Sequence, residues 1–267
     1  MPHILGLRYS GLCSGGRVPE GDAEVGSLPL ERLAGMGVNG LELVLPPEAT
    51  AEEVLNLIEP HGLSVASIET STALDDDRIG NTLETASTKA ALAKALGATY
   101  LFTSVRAGHL PKQTAYDRLR QVGDVVGTHE IFLAMETHPD LCQNAANMLE
   151  TMAGVSHPHV GINFDTANVY YYNRDMDGLA ELKQVVQYVR GVHFKETAGG
   201  LKDGNFPVFG EGIVDFAGAE AVLEEAGFAG PYVMELEGSV FDYTKHDHLE
   251  AQVRSCADYI RRVCAIV

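Results

Sequence analysis

Eight apolar runs of strand length, separated by segments with helical spacing, constrain the fold of this chain more than any other feature. They are HILGLRYS (3–10), GLELVLP (40–46), SVASIET (64–70), ATYLFTSV (98–105), IFLAMET (131–137), VGINFDT (160–166), VRGVHFKE (189–196) and PYVMELE (231–237). Most are nearly continuous in hydrophobicity, as strands covered on both faces must be. Between them, TAEEVLNLIEPHG (50–62) opens with a threonine cap and an acidic first turn. It ends in glycine, as does NTLETASTKAALAKALG (81–97), and glycine is a common helix stop. In the last segment (247–267), Leu249, Val253, Cys256, Tyr259, Ile260 and Val263 recur at three- and four-residue steps, which predicts a helix on the outside of the sheet. Eight such repeats with right-handed crossovers predict an α/β fold, a (β/α)8 TIM barrel, in preference to an open doubly wound sheet. No linker-like or low-complexity stretch divides residues 1–267, so a single TIM-barrel domain is expected.

Charge and cysteine usage narrow the function classes. With 19 Lys and Arg against 37 Asp and Glu, the formal charge is −18, which argues against a nucleic-acid partner because phosphate neutralisation needs clustered cations. Cys13, Cys142, Cys256 and Cys264 form no CxxC pair, so neither a zinc knuckle nor a disulfide framework is indicated. The opening MPHILGLRYSG lacks the charged start and long apolar stretch of a signal peptide, and no run reaches membrane-spanning length. The expectation is a cytoplasmic protein with a small-molecule partner and no membrane contact; a homo-oligomer stays open.

In a barrel of this kind the active site collects at the C-terminal ends of the strands. At that end the fifth run carries Glu136, the sixth Asp165, the seventh His193 and the eighth Glu235. Each separation is one strand–helix unit, or one with a longer loop, so four consecutive strands bring one ligand-type side chain each to the same rim. Singly, an Asp or Glu after a strand is usually a helix cap or a solvated loop residue, and a His a hydrogen-bonded structural group. Together they are another matter: three converging carboxylates repel and force protonation unless a cation sits among them. Three carboxylates and one imidazole suit a hard or borderline divalent ion such as Mn2+, Mg2+ or Co2+, with Zn2+ also compatible.

The order Glu136, FDTAN (164–168), VHFKE (192–196) and VMELE (233–237), with GFAGPYV (227–233) before the last strand and FGEGIVDF (209–216) ahead of it, resembles the xylose-isomerase-like sugar isomerase/epimerase superfamily. The resemblance is strongest from residue 130 onward. It implies a TIM barrel holding a Mn2+-type ion through Glu136, Asp165, His193 and Glu235. It also implies a substrate with adjacent hydroxyl and carbonyl oxygens, deprotonated to an enediolate, with Glu136 and Glu235 as base and acid on opposite faces. The superfamily includes ketose 3-epimerases, hydroxypyruvate isomerases, inosose dehydratases and endonuclease IV. Where the ketose 3-epimerases carry a second glutamate, a histidine and an arginine to grip the sugar, this chain has Cys142, Asn168 and Gly199. HFKE is closer to the HxKD form of the inosose dehydratase branch, which deprotonates in the same way and then eliminates water. An isomerase or epimerase of a small keto-sugar is therefore the first expectation, and a lyase on a keto-inositol or 3-keto-glycoside the second. An endonuclease would need many more rim histidines and a basic groove, and a barrel that had lost its chemistry would not be expected to keep all four ligands.

Further candidates surround the quartet. Lys195 alternates with His193 and can share its inward direction, as an oxyanion holder or proton carrier, against a salt bridge to Glu196 or Glu211. His138 is a substrate contact or a cap for a helix near Asp140. Asn168 and Arg106 are substrate-binding candidates, Arg106 with His109 nearby and suited to a carboxylate, phosphate or sugar hydroxyl. Glu69 can reach substrate, Glu42 is expected to make a structural hydrogen bond within the barrel, and Glu237 alternates with Glu235 as a supporting or second acid/base group. The run VYYYNRD (169–175 counted from Val169) offers ring-stacking or packing surface, with packing expected for at least two tyrosines. The glycine-rich loop at 195–212 is long enough to act as a lid or a partner contact.

Overall fold

The chain was analysed as a computed structural model, which describes residues 4–9, 28–242 and 244–266. Cys13, both ends of the first run (3 and 10) and the end of the last segment (267) lie outside the described residues. Eight strands form a closed barrel in sequence order: β1 (Leu5–Tyr9), β2 (Gly40–Leu43), β3 (Ser64–Glu69), β4 (Tyr100–Thr103), β5 (Phe132–Glu136), β6 (Val160–Asp165), β7 (Val189–Phe194) and β8 (Tyr232–Met234). Every neighbouring pair is parallel, and β8 closes on β1 through Leu5, Gly6 and Leu7. The helices are α1 (Leu30–Ala34), α2 (Ala51–Ile58), α3 (Ile79–Ala95), α4 (Lys112–Gly127), α5 (Ala145–Val155), α6 (Asn168–Tyr171), α7 (Gly178–Val185), α8 (Phe216–Glu225) and α9 (His246–Val263). The TIM barrel read from the eight alternations is the fold observed.

Side-chain alternation along the strands divides the molecule into two cores. Leu7, Leu41, Leu43, Leu101, Leu133, Met135, Ile162, Phe164, Val192 and Phe194 belong to the main core, which the helices cover. Tyr100, Phe102 and Ala134 form a separate small cluster, packed with Phe132. Register then decides which polar residues share a level: Arg8 stands opposite Glu42, Glu136 opposite Asn163, and Asp165 opposite His193.

Local chemistry sets the helix ends. Thr50 closes a capping box with Glu53 at the start of α2, and Gly62 ends that segment at φ 70°, a conformation cheap for glycine alone. Along α9, Leu249, Val253, Cys256 and Ile260 are fully buried, as their spacing predicts. Among the described residues no helix is long and apolar enough to cross a membrane.

Candidate metal centre

The four strand-tip residues meet. One ligand atom each from Glu136, Asp165, His193 and Glu235 lies within 4.8 Å of all the others. Metal–oxygen bonds of about 2.0–2.6 Å place opposed ligands roughly 4–5 Å apart, so the spread is that of a coordination shell. His193 Nδ1 is 3.5 Å from Glu136 Oε1 and 3.5 Å from Glu235 Oε2.

Two buried polar atoms in this cluster have no hydrogen-bond partner among the described residues: Asp165 Oδ2 and His193 Nδ1. Each belongs to a side chain whose other polar atom is firmly held. Asp165 Oδ1 accepts the backbone N–H groups of Ala167 and Asn168, both at 2.7 Å, because the chain turns into α6 directly after β6. His193 Nε2 lies 3.0 Å from Glu42 Oε1 at the floor of the site. Glu42 is held below the usual carboxylate range: burial opposes this, but His193, Arg8 and the Ser67 hydroxyl outweigh it. A carboxylate accepts only, so Nε2 donates to Glu42, and Nδ1 is the nitrogen that would give its lone pair to a bound ion. Leaving two buried acceptors bare is costly unless a cation takes them, and the donor set fits a divalent ion.

Electrostatics of the metal-free centre point the same way. Asp165 is pushed well above the usual range by burial and by the charges of Glu235 and Glu136, with Lys195 and His193 opposing. His193 is raised well above an ordinary imidazole: burial resists protonation, but Glu42, Glu235 and Glu136 outweigh it. Glu235 is held well below its ordinary value, against its burial, by Lys195, His193 and Arg8. Both upward shifts express the same thing, that added positive charge is favoured among these carboxylates.

Around the quartet, Ser104 donates its hydroxyl to Glu136 Oε2, and Asn168 Nδ2 lies 3.4 Å from Glu136 Oε1. Lys195 is buried, with Nζ 3.3 Å from Glu235 Oε2, 3.4 Å from Asn168 Oδ1 and paired with Glu237. Burial works against its charge, but Glu235, Asp165 and Glu237 keep its pKa well above that of a free lysine. The alternative partners Glu196 and Glu211 are not the ones it uses. Glu196 is turned into the β7–α8 loop, where it accepts N–H groups from Thr197, Gly210 and Val214.

On the outer rim, Arg106 Nη2 lies 3.2 Å from His138 Nε2, while His138 Nδ1 lies 3.1 Å from the Pro139 carbonyl. His138 caps no helix; α5 begins later, with Asn144 as its cap. His109 turns instead to Asp75, 3.7 Å away. The His138 ring packs on Tyr172 (4.8 Å), Tyr172 on Tyr171 (4.9 Å) and Tyr171 on Phe206 (5.8 Å), beneath the Lys195 ammonium. Two of the three tyrosines therefore form a rim arc, while the Tyr170 hydroxyl accepts Gly178 N–H at the start of α7. Glu69 reaches the interior and accepts from Arg8 at 2.5 Å.

The polar groups not singled out from the sequence are Arg8, Ser67, Ser104 and Thr166. Arg8 carried the same signal as Glu42, a lone charge inside an apolar run. Thr166 offered none, yet its hydroxyl brackets Lys195 by donating to the Lys195 carbonyl at 2.7 Å and accepting its N–H at 3.0 Å.

Over 122 residues the chain is 30% identical to L-ribulose-5-phosphate 3-epimerase UlaE of Salmonella paratyphi C (strain RKS4594). That match covers 45% of this chain and 41% of the relative, so the chain spans less than half the length of the curated relative it matches. A xylose isomerase-like TIM barrel protein from Mycobacterium smegmatis in complex with magnesium superposes with a TM-score of 0.74 at 21% identity, covering 98% of this chain and 96% of that one. D-allulose 3-epimerase from Methylomonas sp. in complex with D-allulose gives 0.73 at 17% identity, with 98% of each chain covered. Both show the fold. The family model described as xylose isomerase-like TIM barrel matches residues 30–263, and the chain belongs to that family.

Proposed function

We propose that this protein is a divalent-metal-dependent isomerase or epimerase of a small keto-sugar or related polyhydroxy carbonyl compound, working by proton transfer through an enediolate. The observation that carries the reading is the pair of bare buried atoms, Asp165 Oδ2 and His193 Nδ1, facing Glu136 and Glu235. The UlaE relative and the D-allulose and magnesium complexes of structural neighbours support the substrate class and a cation. Among metals, three carboxylates and one imidazole favour Mn2+, with Mg2+, Co2+ and Zn2+ compatible. When bound, the cation supplies Lewis-acid polarisation of a carbonyl and charge for the oxygens that become negative.

The chain's own groups then divide the work. Glu235, kept ionised by Lys195 and His193, takes the proton next to the carbonyl. Glu136, at the end of β5 and braced by Ser104 after β4 and Asn168 after β6, serves as the acid that returns one. Lys195 orients Glu235 and offers an N–H to a developing oxyanion. In this reading Asn168, Glu69 and Glu237 contact substrate hydroxyls, and Arg106 with His138, which packs on the Tyr172 ring, takes the far end. Cys142, Cys256 and Cys264 are free thiols, which supports a reducing, cytoplasmic setting.

A lyase on a keto-inositol or 3-keto-glycoside is the second reading. It is favoured by the buried Lys195 ammonium beside Glu235, a charged N–H donor that would stabilise a departing hydroxide. Proton NMR of the Mn2+-loaded protein with ketoses, inososes and 3-keto-glucosides in deuterated water separates the two. Exchange at one carbon with a new epimer or isomer is the expected result, and an unsaturated product assigns the lyase. Absence of exchange with every compound, in protein holding one metal equivalent, would sink both. In the same assay Lys195→Met should lose about 10²–10⁴ in kcat/KM while keeping its metal.

A further inference from the structure

We infer that Arg8 is a positioning residue of the metal centre, a single guanidinium that fixes two of the four ligands at once. The inference rests on the metal-centre reading above. Arg8 lies on β1, in register with Glu42 on β2. Its Nη1 is 3.1 Å from Glu42 Oε1, its Nη2 is 2.5 Å from Glu69 Oε2, and its Nε is 3.9 Å from Glu235 Oε1. The Glu42 oxygen it meets is the one facing His193 Nε2 at 3.0 Å. The guanidinium also lies 5.1 Å above the Phe102 ring, which itself packs 4.5 Å from the His193 ring.

One planar cation thus touches the carboxylate that orients the imidazole and the ring that packs on it, and lies 3.9 Å from a carboxylate oxygen of Glu235 at the end of the neighbouring β8. An ordinary stitch between strands needs one partner; this one joins β1 to β2, β3 and the end of β8. The fixed fork explains the choice of residue. Three nitrogens held in one plane at set angles address three carboxylates, whereas an ammonium is a point charge on a flexible stem. Without Arg8, the buried Glu42 keeps Ser67 and His193 as neighbours but loses its fixed cation, and Glu235 loses its brace. Glu235 then keeps Lys195 and His193 as charged neighbours on Oε2, while the aim of its Oε1, which needs to hold within about 0.5 Å, is left to its rotamer.

The test is metal affinity in Arg8→Met and Arg8→Lys, measured by the electron paramagnetic resonance of free Mn2+ over chelator-stripped protein that circular dichroism shows to be folded. Arg8→Met should bind Mn2+ about 10–100-fold more weakly than wild type, the range for lost partners of metal ligands, and Arg8→Lys should recover only part of this. Glu42→Gln should weaken binding in the same direction. If Arg8 acts largely through Glu42, the double variant should bind far more tightly than the product of the two single losses predicts. A merely structural Arg8 would lower the unfolding temperature of the metal-free protein and leave the Mn2+ dissociation constant unchanged; that result overturns the inference. If Arg8→Met does not fold, Arg8→Lys decides alone, wild-type affinity in it counting against the fork. Failure of wild type itself to bind one equivalent would instead remove the metal-centre reading, so the two failures are distinguishable.

Discussion

The two oxygens of Asp165 have opposite fates, and that asymmetry has a measurable consequence. Oδ1 is satisfied by the first turn of α6; Oδ2 is buried and bare. Burial and neighbouring carboxylates raise its pKa well above the unfolded value. A carboxyl group shifted upward binds protons more tightly in the folded state, so folding loses stability as pH rises from the unfolded pKa to the folded one. Above both, the penalty is complete. Asp165→Asn removes the charge and keeps an oxygen for the two N–H groups. Without metal, its unfolding temperature at pH 7 should therefore exceed that of wild type, by roughly 2–4 °C per kcal/mol regained, as read by thermal unfolding in chelator. With Mn2+ the order should reverse, because wild type gains and the variant does not. A lower metal-free unfolding temperature in Asp165→Asn would contradict the account. These candidate ligands were legible in the sequence because four consecutive apolar runs each end in one, although any of them alone would read as a helix cap or a structural group. Arg8 showed only a lone charge inside an apolar run, and its partners, Glu42 on β2, Glu69 on β3 and Glu235 beyond β8, are brought together by the closed barrel.

At the level of elements, the β7–α8 connection shows how a long loop is made definite. Glu196 is almost fully buried, and its carboxylate accepts N–H groups of Thr197 at 3.0 Å, Gly210 at 2.9 Å and Val214 at 3.0 Å. One residue after Lys195, it thereby ties the start of the loop to its end. Gly212 is part of the same construction: a Cβ there would lie 2.3 Å from the Thr197 carbonyl and 2.4 Å from Glu196 Oε1. Glu196→Ala would strand three donors, each costing about 1–3 kcal/mol if buried. The expected outcome is a large stability loss together with faster amide hydrogen exchange across residues 198–213. Unchanged exchange there would mean that other contacts hold the loop. The helices were readable from caps and glycine stops, and the strand count from apolar runs. The role of Glu196 was not, since the sequence offered it as a partner for Lys195, and only the course of the returning loop shows its backbone partners. Strand lengths were overread at the last run: β8 is three residues long, although the Glu235 N–H still donates to the Phe194 carbonyl of β7.

For the molecule as a whole, closing the barrel concentrates negative charge, and binding a cation must exchange with the protons that offset it. The chain carries a net −18, and the metal-free centre holds raised pKa values at Asp165, through burial and the charges of Glu235 and Glu136, and at His193, where carboxylates outweigh burial. A metal ligand must be deprotonated, so each proton held in the free protein near neutral pH is released on binding. The sign follows: affinity rises with pH and falls as pH drops, by about tenfold per pH unit for each proton displaced. Titration calorimetry with Mn2+ between pH 5.5 and 7.5, in two buffers of different ionisation enthalpy, should show buffer-dependent heats from proton release and tighter binding at the higher pH. Stability should follow affinity, with about 2.7 kcal/mol gained at a free metal concentration 100 times the dissociation constant, and less at lower pH for the same total metal. Heats that do not depend on the buffer, with an affinity flat in pH, would mean that the centre binds metal without displacing protons. The charges at the four strand tips would then be balanced by something other than the exchange described.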